Sequence, residues 1–307
     1  MELHKIDLAI IGAGPAGLAA ALYAVRGGAS VRLFEEMFAG GQIVKTHCIE
    51  NYPGISDGPD GYALAARFEE HARQFGVNAE YVGVTKLDLA GKEKTITLGS
   101  GEVVSAKAVI LCMGASPRAL NVPGERELLN HGISYCATCD GAFYRNQTAT
   151  VIGGGDTAIS DALYLSKLCQ KVYVVHRRDA LRASAVLADA AMGTENIEFV
   201  WNSTPEAFLG DGKLAAIRLK NTQTGELSDL ATDGAFVAVG IVPRTELVRD
   251  QLRLAADGSI ETNERMETSV PGVFAAGDIR STPLRQVVTA CADGAVAATY
   301  AIEAVRV

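Results

Sequence analysis

Short apolar runs closed by glycine punctuate this chain, and they are long enough for buried strands and too short for helices. Ile6-Asp7-Leu8-Ala9-Ile10-Ile11 is the first, suited to a parallel strand covered on both faces. Val31–Phe34, Ala108–Gly114, Thr148–Ile152, Val172–Val175, Gly234–Val239 and Val273–Asp278 read the same way. Between them lie stretches with helical spacing. One is alanine-rich and runs from Pro15 to about Gly27, and one spans Leu64 to Gln74. A third passes through Leu163, Leu165 and Leu168, and a fourth starts at Arg285 and continues to the C terminus. Residues 80–110 alternate brief strand-like runs, such as Thr95–Leu98 and Val103-Val104, with turn signals. Strands alternating with helices predict an α/β protein built on parallel sheets. Segments rich in proline and glycine near 114–124 and 240–244 read as linkers.

Length and charge narrow this picture. At 307 residues the chain has room for two domains, each with its own core. A net charge of −8 with no basic block argues against a nucleic-acid partner. The uncharged run from Leu8 to Val25 has the length of a membrane span, but it holds Gly12, Gly14, Pro15 and Gly17 and is otherwise mostly alanine. Strand, glycine turn and helix is the better reading, so no membrane role is expected. The six cysteines are scattered and no secretory signal precedes them, which fits a reducing cytoplasm.

Two of the strands are followed by the same device. Gly12-Ala13-Gly14-Pro15-Ala16-Gly17 sits between the first strand and its helix, and Glu35 closes the second strand. Such glycines permit a tight turn and close approach of a pyrophosphate, which then faces the helix N terminus; the acid accepts ribose hydroxyls. The second copy reads Gly153-Gly154-Gly155-Asp156-Thr157-Ala158, with alanine in the last glycine's place. His176-Arg177-Arg178 closes its second strand, with Arg182 one turn beyond. The register is nearly the same and the charge is reversed. An acid there favours a free ribose diol, whereas paired arginines clamp a 2′-phosphate. The first site is therefore expected to take FAD or NAD, and the second NADP.

Cys136-Ala137-Thr138-Cys139-Asp140-Gly141 lies just before the second fingerprint. Two thiols at this spacing can close and reopen a disulfide, which makes a two-electron switch. The alternative is half of a zinc site. That would need two more ligands, and the nearest candidate is His131, with no second pair of this kind in the chain. The cysteines are expected to open a helix, whose dipole would favour a thiolate. Cys48, Cys112, Cys169 and Cys291 read as small core residues.

With these motifs in view the chain resembles the low-molecular-weight thioredoxin reductases from end to end. The likeness rests on G-A-G-P-A-G at 12–17, G-G-Q at 40–42, E-N-Y-P-G at 50–54 and C-A-T-C-D-G at 136–141. It continues through G-G-G-D-T-A at 153–158, H-R-R-x-x-x-R at 176–182, F-A-A-G-D at 274–278 and R-Q at 285–286. The resemblance implies two Rossmann-like, three-layer ββα domains. An NADPH domain, 117–243, is inserted into a discontinuous FAD domain, 1–116 and 244–307. It implies FAD contacts from Gly12, Gly14, Pro15, Ala16, Gly17, Glu35, Gly40, Gly41, Gln42, Asn51, Val84, Gly114, Asp278, Arg285, Gln286 and Val287. NADPH would be held by Gly154, Gly155, Asp156, Thr157, Ala158, His176, Arg177, Arg178 and Arg182. Electrons would pass from NADPH to FAD, to a Cys136–Cys139 disulfide, and on to thioredoxin. By the same resemblance Cys139 faces the flavin, Cys136 attacks the substrate, and Asp140 serves as acid and base. The protein would be a homodimer. Because the cysteine pair travels with the NADPH domain, rotation about the linkers is expected to alternate the two at the flavin.

Two departures stand out. Residues 44–48 read Val-Lys-Thr-His-Cys where relatives are usually threonine-rich, and Ser160-Asp161 replaces a common pair of glutamates. Two other readings remain at this point. One is a reductase or dithiol oxidase of the same fold acting on another protein or on a small-molecule disulfide. The other is a flavin-bearing redox sensor without turnover.

Overall fold

In the computed structural model, residues 4–45, 49 and 51–306 are described in backbone terms. In chain order the first part comprises β1 (His4–Ile11), α1 (Pro15–Arg26), β2 (Val31–Glu35), α2 (Gly61–Gln74), β3 (Ala79–Tyr81), β4 (Val84–Asp88), β5 (Lys94–Leu98), β6 (Val103–Leu111) and β7 (Ala115–Pro117). Then come β8 (Ile133–Ser134), α3 (Ala137–Asp140), β9 (Thr148–Ile152), α4 (Asp156–Ser166), β10 (Lys171–Val175), α5 (Ala185–Met192), β11 (Ile197–Val200), β12 (Ser203–Gly210), β13 (Leu214–Asn221), β14 (Leu227–Ala231) and β15 (Gly234–Val237). The chain ends with β16 (Ile241–Pro243), β17 (Val273–Ala275) and α6 (Val287–Arg306). Contacts divide it into two compact units, 1–116 with 242–307, and 117–241.

The first unit has parallel strands in the order β3-β2-β1-β6, with β17 on the far side of β6. The other half of β6 carries the antiparallel β5 and β4. Alternation along β1 explains the layering. Leu8 and Ile10 join one buried cluster with Ala20, Ala21 and Ala24 of α1 and Ala297, Ala298 and Ala301 of α6. Ala9 and Ile11 face the other way, into a cluster with Leu87, Ile96 and Leu98 of the antiparallel strands. Helix, parallel sheet and antiparallel ribbon make three layers. The run from Leu8 to Val25 is strand, turn and core helix. Among the described residues α6 alone is long and apolar enough to cross a membrane; it packs on α1, with Ala297, Ala298 and Ala301 fully buried.

The second unit repeats the plan. Five parallel strands run in the order β11-β10-β9-β15-β8, and an antiparallel sheet, β12-β13-β14, covers one face. Val151, Val172 and Val174 pack with α4, while Ile152, Val175 and Val237 pack with Phe208, Ile217 and Leu219 of the antiparallel sheet. Both units are thus Rossmann-like, as the fingerprints require.

Several expected boundaries move. Val103–Val104 and Ala108–Leu111 belong to one continuous strand, β6, whose Ser105 is buried against Glu93 (3.0 Å). β15 stops at Val237, and Gly240 then takes a left-handed φ of +111°. α6 starts at Val287, because the Gln286 N–H is taken by Thr289 Oγ1 at 3.0 Å. The hairpin sheet between 203 and 231 has no counterpart in the sequence reading.

Candidate active site

In the first unit the chain leaves β1 through Gly12, where φ is +102° and a Cβ would stand 2.4 Å from the Cys112 carbonyl oxygen. A Cβ on Gly17 would lie 1.8 Å from the Gly12 carbonyl oxygen, so the first turn of α1 sits directly on the strand end. Gly14 is different. Its nearest neighbours would be 4.0 Å away, and it forms part of the wall of a cavity of about 840 Å³. That is toward the upper end of the range of roughly 300–1,000 Å³ for small-molecule sites. Pro15 at the first helical position costs nothing, since that N–H is unpaired anyway, and the remaining free N–H groups of α1 are available to an anion.

Gly12, Gly14, Pro15, Ala16, Glu35, Gly41, Gln42, Val84, Gly114, Asp278, Arg285, Gln286 and Val287 line this cavity. Gly17 lies beneath the turn. Gly40 bends the chain behind it, donating its N–H to Ala13 O at 2.8 Å. Asn51 is off the wall but donates through Nδ2 to Gln286 Oε1 at 2.9 Å, joining segments far apart in sequence. The Glu35 carboxylate accepts the Ala13 N–H (2.8 Å) on one oxygen, and those of Glu36 (2.9 Å) and Met37 (3.2 Å) on the other. A carboxylate has about four acceptor positions, so one is left for a ribose hydroxyl. Burial pushes the Asp278 carboxyl above its usual range, with Arg285 opposing and Asp293 adding to the rise. Asp293 in turn braces the turn before Asp278, accepting from Gly277 N (3.1 Å) and Arg280 Nη1 (3.0 Å).

The sequence reading missed Phe34, Met37, Phe38, Cys112, Met113 and Leu247 on the same wall. Phe34 and Cys112 end or follow strands already recognised, and side chains at the C-terminal ends of parallel strands face this kind of crevice, so that signal was present. Leu247 comes from an irregular stretch without one. The glycine cradle, the helix start and the acid together fit the diphosphate and ribose of a dinucleotide. His47 and Cys48 lie outside the described residues.

In the second unit Gly155 caps α4, and a Cβ there would meet nothing within 4 Å. Ala158 is buried, whereas Asp156 and Thr157 are exposed. The loop after β10 folds back onto the glycine turn: Arg182 N–H donates to Gly154 O at 2.7 Å, and Ser184 N–H to Asp156 Oδ1 at 2.7 Å. Arg177, Arg178 and Arg182 are brought to one exposed rim. The ion pairs of this unit are Lys171–Glu198, Arg218–Asp229 and Lys220–Glu206, and none of the three arginines takes part. Three unneutralised guanidinium groups beside a helix start and an open glycine fit a dinucleotide with an extra phosphate. His176 does not join that rim. It is 5% exposed and packs beneath Gly154, where burial and the neighbouring arginines hold its imidazole below the usual range.

Cys136 is disulfide-bonded and half-buried; the Cys139 side chain lies outside the described residues. The expected helix is a single turn, Ala137–Asp140, followed by a 3-10 turn over Gly141–Tyr144, so its dipole is small. Gly141 lets this turn close on α4, since a Cβ would come within 2.8 Å of Leu165. Tyr144 meets Phe236 edge-on at 5.5 Å. Thr138 Oγ1 lies 3.3 Å from Cys136 Sγ. Asp140 Oδ2 accepts from Ser134 Oγ at 2.6 Å. Ser134 escaped the sequence reading. Cys112 and Cys169 are buried free thiols, both pushed up by burial. Cys291 is only half-buried, with Sγ 3.7 Å from Pro15 O. Among the described residues no group of three or more His, Cys, Asp or Glu side chains is placed to hold a metal.

Two dinucleotide folds and a disulfide on one chain define a flavoprotein disulfide oxidoreductase, and the chain belongs to the pyridine nucleotide-disulphide oxidoreductase family, whose pattern matches residues 6–294. It is 46% identical over 301 residues to the thioredoxin reductase of Peptoclostridium acidaminophilum, covering 96% of this chain and 95% of that one. Identity to the Bacillus subtilis thioredoxin reductase is 43% over 302 residues, covering 97% and 94%. The crystal structure of Lactococcus lactis thioredoxin reductase superposes with a TM-score of 0.94 at 42% identity, covering 98% and 99%. Within the family the chain groups with the low-molecular-weight thioredoxin reductases. It is a disulfide reductase that uses a flavin and a nicotinamide nucleotide.

Proposed function

We propose that the protein is an NADPH-dependent, FAD-containing reductase of thioredoxin, working as a cytoplasmic homodimer without membrane attachment. The observation that carries this reading is the opposite chemistry at two equivalent positions. Glu35 closes the strand beside one glycine turn, and exposed, unpaired Arg177 and Arg178 close the strand beside the other. On this reading unit 1–116 with 242–307 holds FAD, and unit 117–241 holds NADPH. When bound, the nicotinamide and the flavin supply the two electrons.

The residues of the chain do the rest. The N–H groups of α1 and the cradle around Gly14 hold the diphosphate. Asn51 and Gln286, hydrogen-bonded to each other, fix one wall of the cavity. Arg177, Arg178 and Arg182 clamp the 2′-phosphate. Cys136 pairs with Cys139; once that disulfide opens, Cys136 attacks the disulfide of thioredoxin and Cys139 resolves the mixed disulfide. Asp140 gives a proton to the leaving thiolate and takes it back in the reverse direction.

The test is anaerobic mixing of the flavin-loaded protein with NADPH or NADH, followed by oxidised thioredoxin. NADPH bleaches the flavin, NADH does so poorly, and added thioredoxin restores the colour. Cys136→Ser and Cys139→Ser keep the bleaching and lose thioredoxin reduction. A protein that takes up no flavin, or that turns over without both thiols, refutes the proposal.

A further inference from the structure

We propose that Ser134 is a positioning residue for the disulfide chemistry, anchoring one oxygen of Asp140 so that the other exchanges the proton. The proposal rests on the role given to Asp140 above. Ser134 ends β8, where it pairs with Phe236 of β15, and it is 4% exposed. Its Oγ lies 2.6 Å from Asp140 Oδ2, 2.9 Å from Cys136 N and 3.2 Å from Cys136 O. A hydroxyl has one hydrogen and two acceptor lone pairs. The contact to Oδ2 is the shortest, so the hydrogen goes there, and Oγ accepts the Cys136 N–H. One buried atom, fixed by the sheet, therefore ties the backbone of the attacking cysteine to the carboxylate that serves it. Asp140 N–H closes the loop by donating to Cys136 O at 3.2 Å.

Oδ1 of Asp140 takes no hydrogen bond among the described residues. The other titratable side chain beside this carboxylate is Tyr144, whose hydroxyl is pushed up by burial first and by the Asp140 charge second. Opening the Cys136 disulfide breaks the S–S bond with two electrons delivered through the flavin. The leaving thiolate takes the proton from Oδ1, Asp140 is left ionised, and solvent returns the proton. Ser134 keeps its bond to Oδ2 in both states and favours the ionised one, because a hydrogen bond to a full charge is the stronger. Heavy atoms need not move as the proton comes and goes. Two residues before the first cysteine is a position that no redox motif flags, and its meaning appears only when the turn folds Asp140 back onto it.

Ser134→Ala separates this role from simple support. The variant should retain flavin and bleach with NADPH at the wild-type rate. Thioredoxin reduction should fall about tenfold, and its pH–rate profile should move up by about one unit, as expected for losing one donor to a carboxylate. Ser134→Thr keeps the hydroxyl and should recover most of the rate. In an Asp140→Asn background Ser134→Ala should cost nothing further, since its effect passes through the carboxylate. An unshifted profile overturns the proposal, and so does an equal loss in both backgrounds. Each ratio is read with thioredoxin and with dithionitrobenzoate. Failure of thioredoxin alone as acceptor then counts against the function proposed above, while Ser134 is judged on the second acceptor.

Discussion

Removing Arg177 and Arg178 should convert a strong preference for NADPH into near indifference between NADPH and NADH. Both side chains are exposed and neither joins an ion pair, so their charge is available to a ligand. A hydrogen bond to a charged group contributes about 1.5–3 kcal/mol. An exposed rim belongs at the low end, because solvent screens it. About 1.5 kcal/mol per arginine is roughly tenfold in affinity. Arg177→Ala or Arg178→Ala alone should thus raise KM for NADPH about tenfold, and the double variant about a hundredfold, since neither carries another contact. KM for NADH should change little. Steady-state kinetics with both nucleotides at two salt concentrations give the answer. Wild-type KM for NADPH should rise with salt, and the double variant should lose that dependence. Stability is a usable control: exposed residues without partners shift it by about 0.5 kcal/mol or less. Equal losses with both nucleotides, or an unchanged preference, would refute the assignment of these arginines to a 2′-phosphate.

Two further perturbations use the same geometry. Gly17→Ala drives a Cβ to 1.8 Å from a backbone oxygen, so α1 must move. Overpacking of this kind costs about 1–3 kcal/mol or more, and the purified variant should lose flavin and melt early. Gly155→Ala meets no atom and should cost about 1 kcal/mol or less in stability, yet raise KM for NADPH, which a thermal melt and steady-state kinetics separate. Burial pushes the Asp161 carboxyl up to about 7, and it has no hydrogen-bond partner among the described residues. Its folded value lies above its unfolded one, so stability falls as pH rises from about 4 to 7 and stays low beyond. Asp161→Asn should therefore stabilise the protein at pH 8 by about 2–4 kcal/mol and by almost nothing at pH 4, read by urea unfolding. A gain independent of pH would contradict this.

Local signals carried most of the fold. β1, α1 and β2 were legible because an apolar run, a glycine turn and an alanine-rich helix lie side by side in the chain. The fingerprint residues that line the first cavity were legible for the same reason. β12, β13 and β14 were not. Pro205 breaks the first of them, and β14 is exposed at almost every position, so no alternation survives to be read. The Asn51–Gln286 bond joins residues 235 positions apart, which no periodicity reports. His176 belonged to the right motif but faces inward, because alternation along β10 turns it under Gly154 while Arg177 turns out. The one-turn helix after Cys136 was overestimated, since Asp140-Gly141 tightens the chain into a 3-10 turn where a full helix was expected.

The two units also differ in a way that suits their proposed tasks. In the first, residues from β1, β2, the loops after them, the end of β6 and the start of α6 enclose a single large cavity. A ligand there is held by segments that must separate before it can leave, which slows release. In the second, the contacts available are an open glycine, a helix start and a rim of solvent-facing arginines. Charge brings a phosphorylated nucleotide to such a rim quickly, and few buried contacts delay its departure. One ancestral-looking plan, used twice, thereby serves a resident group and an exchanging one. The distinction rests on enclosure as much as on the sign of charge at the strand end. An arginine rim built around the first cavity would change which dinucleotide it prefers without making that dinucleotide exchange any faster.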